Sequence, residues 1–161
     1  MENLNFKFNY KIPPLTLDDK KNYFEKASMS DRKRFPFIIH KKGDEFNQVF
    51  NFILDGSYMK PHMHPGNNKI EKMHLISGSF KLIFFNEKGI PKKIYNIDKE
   101  NQRVEVPGYT WHTYVMTSKQ TIIFETMMGV YNPTTWKQMS NWAPEENSEE
   151  AKEYLKVLKN I

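Results

Sequence analysis

The sequence predicts an all-β fold, a small β-barrel or jelly roll with a short helix at each end. Short apolar segments recur about every ten residues through the middle of the chain, a spacing typical of sandwiches and barrels. Turn-forming residues separate these segments. The composition agrees, because 14% of the 161 residues are aromatic and aromatic side chains favour strands.

One helix is expected before the strands and another after them. Thr16 is a suitable N-cap with Asp19 as its capping-box partner, and a helical pattern follows over about residues 17–27. Asn147 or Ser148 can cap an amphipathic helix that closes the chain. The strands between them are predicted at 37–40, 46–54, 57–64, 70–77, 79–85, 90–96, 103–106, 111–116 and 120–128, and a loop at 129–147.

The chain 1–161 is expected to form a single domain, with the barrel at about 36–128 and a C-terminal loop and helix at 129–161. No apolar run approaches the roughly 20 residues of a membrane helix, and residues 1–10 lack the apolar core of a signal peptide. The absence of cysteine excludes disulfides and fits a reducing compartment. These features predict a cytoplasmic protein with no membrane partner.

The charged residues predict no nucleic-acid partner. The net charge is +5, from 24 basic and 19 acidic residues, and the lysines are dispersed in pairs. A nucleic-acid interface would concentrate basic residues in one stripe. The pattern favours a solvated lysine-rich surface, and the alternative is a mild preference for anionic small molecules such as phosphorylated sugars.

Three histidines and one glutamate form the most informative motif. His62 and His64 lie in one strand-like segment, where residues i and i+2 point to the same face. Glu71 lies on the next predicted strand, and the Pro107-Gly108 turn precedes His112 at the start of a later one. Imidazole and carboxylate are good ligands for a first-row divalent metal. The pattern therefore predicts one transition metal ion, whether Fe, Zn, Mn or Ni, held by these four residues.

These segments resemble the paired motifs of the cupin superfamily. The first motif consists of Gly56, His62, His64, Glu71 and Gly78, and the second of Pro107, Gly108 and His112. Six residues separate His64 from Glu71, about two more than is usual in cupins. The second motif lacks the usual upstream glycine and has Met116 where an asparagine is common. The resemblance implies a cupin fold and a metal site made by the motif residues.

A narrower resemblance, over roughly residues 27–146, is to the WbuC-type cupin-fold metalloproteins. It is carried by Arg32 and Arg34, by His40, Gln48 and the segment 57–65, and by Glu125, Gly129, Tyr131-Asn132-Pro133 and Trp142 to Glu146. That family is associated with O-antigen and surface polysaccharide biosynthesis. The resemblance implies a metalloprotein with a sugar-related role and leaves its reaction open.

Three further residues are candidates for acid–base catalysis. Lys60 and Tyr58 share strand parity with His62, and Tyr114 shares it with His112, so all three are expected to face the same cavity. Lysine at a barrel rim reaching solvent, and tyrosine as an aromatic core residue, are the alternatives.

Four residues are candidates for substrate binding. Arg32 and Arg34 can clamp a phosphate or belong to a solvated loop, and His40 can line the cavity mouth or end a strand. Glu125 either orients a ligand histidine or lies on the alternating surface face. His74 lies three residues after Glu71, so it is expected on the opposite strand face and outside the metal site.

The leading functional hypothesis is a sugar-modifying enzyme of the isomerase or epimerase type, linked to surface polysaccharide biosynthesis. Its substrate would be a sugar or nucleotide sugar, with adjacent oxygens held at the metal while a base moves a proton. The alternatives are an iron-dependent dioxygenase acting on a small molecule and a non-catalytic carbohydrate- or nucleotide-sugar-binding module. The aromatic-rich strands could support a homodimer.

Overall fold

Two five-stranded antiparallel sheets face one another, with a helix on the outside of each, in the computed structural model, which describes residues 11–161. The first ten residues of the predicted domain, and the signal-peptide expectation that rests on them, lie outside the described residues. The elements are α1 Leu17–Met29, β1 Arg34–Ile38, β2 Phe46–Leu54, β3 His62–Met63, β4 Glu71–Ser77, β5 Phe80–Phe85, β6 Pro91–Ile97, β7 Arg103–Val106, β8 His112–Met116, β9 Gln120–Met128, β10 Gln138–Met139 and α2 Glu149–Lys159.

The first sheet has the strand order β1-β2-β9-β4-β7, and the second has the order β10-β3-β8-β5-β6. Their inner faces share one apolar core, to which β4 contributes Met73 and Leu75, β5 contributes Leu82 and β9 contributes Ile123. Burying one such side chain fully stabilises the fold by about 1.5–3 kcal/mol. The all-β class and the terminal helices, as predicted from the sequence, are confirmed.

The helices cover the outer faces of the sheets. Phe50, Phe52 and Phe124 form an apolar cluster under α1, where Tyr23 stacks on Phe37 with ring centroids 4.4 Å apart. The residues that α2 buries against the second sheet are Ala151, Leu155 and Leu158. None of the helices described between residues 11 and 161 is long and apolar enough to cross a membrane.

The predicted helix caps are present. Thr16 Oγ1 accepts the backbone N–H of Asp19, whose side chain accepts the backbone N–H of Thr16, so the capping box is complete. At the second helix the cap is Ser148 rather than Asn147, because its Oγ accepts the backbone N–H of Ala151. The first helix ends at Met29, two residues beyond the predicted end.

Three predicted boundaries are wrong. The predicted strand 57–64 is reduced to the two residues of β3, and the strand predicted at 37–40 runs instead from Arg34 to Ile38. Within the predicted loop 129–147, two residues form β10 and pair with β3. The strand predicted at 57–64 is short partly because Pro61 has no N–H to donate to a strand ladder. The segment before Pro61 is held by a side chain instead, since Arg34 Nη1 donates to Ser57 Oγ at 3.2 Å and to the Tyr58 carbonyl at 3.1 Å.

Candidate metal centre

Both sheets contribute to a cluster of four buried side chains. His62 of β3 lies directly opposite His112 of β8 in the second sheet, and their ring centroids are 4.5 Å apart. His64 follows β3. Glu71 is the first residue of β4 in the facing sheet. The strand pairing therefore brings together residues that are up to fifty positions apart in sequence.

Two turns hold the histidine segments against each other. The backbone N–H of Tyr109 donates to the carbonyl of His64 at 3.0 Å. A Cβ atom at Gly108 would overlap the carbonyl oxygen of Gly66, so this close approach of two backbones requires glycine. The turn that precedes His112 is thereby packed directly on the turn that follows His64.

The separations of the ligand atoms suit a single cation. One ligand atom from each of the four residues lies within 4.8 Å of all the others. Glu71 Oε2 is 3.0 Å from His112 Nε2 and 3.3 Å from His64 Nε2. Two ligands at about 2.1 Å from one metal ion are about 3.0 Å apart at a right angle and about 3.4 Å apart at a tetrahedral angle. The two separations from Glu71 fall within this range.

The backbone fixes which nitrogen of each imidazole is available. In His62, His64 and His112 the Nδ1 atom lies within hydrogen-bond distance of a backbone carbonyl. The acceptors are the carbonyls of Lys60, Trp136 and Thr110, at 3.0, 2.8 and 2.8 Å respectively. Because a carbonyl oxygen only accepts, each Nδ1 carries a proton, and in the neutral ring Nε2 presents a lone pair.

Burial and charge make the four residues a fitting ligand set for a divalent cation. Buried His64 Nε2 has no hydrogen-bond partner within residues 11–161, and a cation would supply one. Burial, followed by the neighbouring His112, holds the pKa of His62 well below its usual range, so that imidazole stays neutral. Burial alone would raise the pKa of Glu71, but the contacts with His112 and His64 outweigh it and leave the pKa well below its usual range.

A cavity of about 310 Å³ between the sheets opens onto this cluster. Its lining includes the predicted residues Arg32, Arg34, His40, Tyr114 and Glu125. The His40 Nδ1 atom accepts the backbone N–H of Gln48 at 3.0 Å, which fixes that ring at the cavity wall. The volume lies at the lower end of the range for small-molecule sites, about 300–1,000 Å³.

Tyr114 and Glu125 form a hydrogen-bonded pair on the cavity wall. Tyr114 Oη donates to Glu125 Oε1 at 2.8 Å, and the Asn51 side chain also bonds to the Glu125 carboxyl group. Burial, followed by the negative charge of Glu71, raises the pKa of Glu125 to about 8. Burial also raises the pKa of Tyr114 well above its usual range. Glu125 is therefore a neutral acid near pH 7, and Tyr114 acts as a donor to it.

The two arginines share one carboxylate at the cavity edge. Arg34 Nη2 donates to Glu146 Oε1 at 2.7 Å, and Arg32 Nε donates to Glu146 Oε2 at 3.0 Å. Arg34 is buried and also donates to Ser57 and to the Tyr58 carbonyl. The Arg34 guanidinium is thus largely occupied by the protein itself, whereas Arg32 is half exposed.

The orientation predicted for Lys60 and Tyr58 is wrong. Lys60 Nζ forms an ion pair with Glu145, and Tyr58 Oη donates to the Pro144 carbonyl at 2.8 Å. Neither residue is among the described residues that line the cavity. The parity argument fails here because residues 57–61 do not form a strand, so their side chains do not alternate with His62.

His74 lies outside the cluster, on the opposite face of β4 from Glu71. The burial pattern alternates along this strand, with Glu71, Met73 and Leu75 buried and His74 half buried. The Nδ1 atom of His74 accepts a hydrogen bond from Arg103 Nε at 3.1 Å. This placement agrees with the strand parity expected from the sequence.

The sequence analysis missed the residues that reach the cavity from the loop after β9. These are Tyr131, Trp136 and Lys137. A fourth cavity residue that the sequence did not indicate is Asn47 of β2. Asn47 Nδ2 donates to the carbonyls of Met127 and Gly129. The loop offers only an aromatic-rich composition as a signal, with no periodicity to show which side chains turn inward.

Comparison with known proteins identifies a family. Residues 15–96, just over half of the chain, match the family model described as Domain of unknown function (DUF6016). The chain belongs to this family. Its matched region includes three of the four clustered residues, His62, His64 and Glu71. None of the curated proteins matches the sequence.

Solved structures with similar folds are cupins. The Lactobacillus farciminis oxalate decarboxylase in its formate complex is 16% identical over 65% of this chain and 30% of its own, with a TM-score of 0.52. A cupin 2 conserved barrel domain protein from Rhodopseudomonas palustris is 11% identical over 66% of each chain, with a TM-score of 0.51. CapF in complex with 3-isopropenyl-tropolone is 16% identical over 65% of this chain and 31% of its own, with a TM-score of 0.55.

The DUF6016 chain therefore has a cupin fold. The aligned region spans less than a third of the oxalate decarboxylase and of CapF. At these identities the likeness concerns the fold, and the chemistry has to be argued from the residues of the site.

Proposed function

We propose that this DUF6016 protein is a metal-dependent enzyme that moves a proton on a small oxygen-bearing substrate, as an isomerase or epimerase does. The observation that supports this most is the convergence of three Nε2 atoms and the Glu71 carboxylate at a cavity that also holds Glu125. Metal ligands and a buried carboxylic acid on one cavity wall are the components of metal-assisted proton transfer.

In this proposal the four clustered residues hold one divalent cation. A cation bound there would supply Lewis-acid polarisation of a substrate oxygen, which acidifies a neighbouring C–H bond. The ionised form of Glu125 would accept the proton of that C–H bond, and the protonated form would return it to the substrate, since a pKa of about 8 makes both forms available near neutral pH. Tyr114 and Asn51 hold that carboxyl group in place by hydrogen bonds.

The substrate we propose is a sugar or nucleotide sugar. The resemblance to WbuC-type cupins supports a role in surface polysaccharide biosynthesis. The cavity volume of about 310 Å³ suits a group the size of one sugar ring, so a nucleotide would extend through the open mouth.

Metal analysis tests the centre. We expect the purified protein to contain close to one transition metal ion per chain, and His62→Ala or His112→Ala to remove it, because each deletes one of the four ligands. His74→Ala is the matched control and should keep the metal, since His74 faces away from the cluster. A chain that contains no metal and takes up none when it is added would overturn the proposed centre.

Solvent isotope exchange tests the reaction. The metal-loaded protein should introduce deuterium from D₂O into its substrate among a panel of nucleotide-linked sugars, and Glu125→Gln should abolish the exchange while keeping the metal. Sugars that bind but never exchange would indicate a binding module instead. Turnover that consumes O₂ and requires ferrous iron would indicate a dioxygenase.

A further inference from the structure

Lys137 lines the metal cavity without a counter-charge. No hydrogen bond or ion pair joins its ammonium group to any residue between 11 and 161. Lys137 is exposed at the cavity wall, so water occupies its three donors in the absence of a ligand. An ammonium group that lines the cavity without a protein partner is available to bind an anionic ligand.

The backbone holds Lys137 beside the metal cluster. The carbonyl of the preceding residue, Trp136, accepts the Nδ1–H of His64 at 2.8 Å. The following residue, Gln138, pairs with Met63 in the ladder between β10 and β3. The backbone of Lys137 is thus anchored on both sides to the segment that carries two of the four cluster residues.

Lys137 lines the same cavity as Glu71 and Glu125. Loss of hydration beside the cavity lowers the pKa of Lys137, and the charges of Glu71 and Glu125 act in the opposite direction. The neighbouring basic residues, Arg32 and Arg34, already share the one carboxylate of Glu146. A divalent cation held by the cluster would outweigh the charge of Glu71, and the cavity would then carry a net positive charge.

We propose that Lys137 binds an anionic group, a carboxylate or a phosphate, on the substrate whose oxygens approach the metal centre. This inference rests on the proposed function and narrows its substrate to anionic sugars or their close relatives. A sugar acid, a sugar phosphate and a nucleotide sugar all present such a group. Charge-assisted hydrogen bonds from this ammonium group would give both affinity and orientation.

Calorimetric titration of the metal-loaded protein with three matched probes tests the inference. The probes are glucose, which is neutral, glucuronate, which adds a carboxylate, and glucose 6-phosphate, which adds a phosphate. We expect one of the anions to bind at least about tenfold more tightly than glucose. The probe that gains affinity identifies the anion as carboxylate or phosphate.

Three variants assign the effect to one residue. Lys137→Met should remove the difference of about tenfold in affinity between the anionic probe and glucose. Lys137→Arg should keep most of that difference because the charge remains. Lys92→Met is the matched control, since it removes the same charge from an exposed position on β6. It should leave all three affinities unchanged.

The outcomes separate this inference from the metal proposal. Metal content is measured on the same samples. Anion binding that depends on Lys137 in a chain that takes up no metal would overturn the metal centre and leave the anion site standing. A metal-loaded chain that binds neither anion more tightly than glucose, or a Lys137→Met variant with the wild-type preference, would overturn the anion site alone.

Discussion

Glu125 illustrates how surroundings give a single side chain its chemistry. It lies in a late apolar strand, where alternation alone leaves its direction open between cavity and surface. In the structure it faces the cavity and takes part in hydrogen bonds with Tyr114 and Asn51. Burial and the nearby charge of Glu71 raise its pKa to about 8, so the carboxyl group keeps its proton near neutrality.

This raised pKa makes folding stability depend on pH. Above about pH 4.5 the unfolded chain loses the Glu125 proton, while the folded chain keeps it until about pH 8. The stabilisation of the folded state by protonated Glu125 is therefore fully present below about pH 4.5. It is lost as pH rises from there through about pH 8, at up to about 1.4 kcal/mol per pH unit.

Glu125→Gln should remove this dependence. Denaturant unfolding across pH 4–9, with wild type and variant in the same buffers, should show the variant gaining stability relative to wild type as pH rises. Glu100→Gln, at an exposed position, is the control and should show no such trend. Parallel stability curves for wild type and Glu125→Gln would contradict the assignment.

At the scale of elements, a two-residue strand and two turns assemble the candidate centre. β3 contains only His62 and Met63, and it is held between β8 and β10. A strand this short has few ladder bonds of its own, so its position depends on neighbouring contacts. The close packing of Gly108 on the Gly66 carbonyl is one of these contacts.

Gly108→Ala tests whether that packing positions the histidines. The added methyl group would overlap the Gly66 carbonyl, so we expect a loss of about 1–3 kcal/mol in unfolding free energy and reduced metal content. Thr16→Ala removes the cap of α1 and should cost about 1 kcal/mol without changing the metal content. Equal metal content in both variants would show that the turn contact does not position the site.

The elements that the sequence predicted well are those with a local signature. Alternating apolar residues and turn signals located β2, β4 and β9, and histidine spacing located the cluster. Lys60 was placed in the cavity wrongly, because its direction is set by Glu145, 85 positions away. Lys137 was missed because its backbone is placed by long-range bonds to the histidine segment, which no local pattern reveals.

At the scale of the whole molecule, the segment before α2 ties the sheets together across the cavity edge. Glu146 bonds to Arg34 of β1, and Glu145 pairs with Lys60 beside β3. Burial would raise the pKa of Glu146, but the charge of Arg34 and the hydrogen bonds from both arginines outweigh it and lower the pKa. The stability that ionised Glu146 gives the fold is therefore present above about pH 4.5. It is lost as pH falls through the lowered pKa of Glu146 in the folded state.

Glu146→Gln should destabilise the fold by about 2 kcal/mol at pH 7, because buried Arg34 loses a charge-assisted partner. The deficit should shrink in acid as wild-type Glu146 becomes protonated, and thermal unfolding at pH 3–7 measures it. Glu153→Gln is a suitable control, since it removes only the exposed pair with Lys156. A deficit that is constant over this range would argue against the ion pair as its source.

The homodimer expected from the aromatic-rich strands stays a prediction. Large apolar side chains are exposed near the cavity mouth on β1 and on the loop after β9, at Ile38, Val130 and Tyr131. Sedimentation of the full chain at several concentrations measures the association directly.

All three imidazoles of the candidate centre are oriented by backbone carbonyls, and this has a consequence for how the protein can change. A carbonyl is present whatever the side chain, so replacing the side chains of Trp136 or Thr110 leaves the acceptor in place. The loop that carries Lys137 can therefore vary its side chains, by evolution or by design, while ligand orientation is kept. Under the proposed function, substrate preference and metal geometry would in this way be separable traits of one short segment.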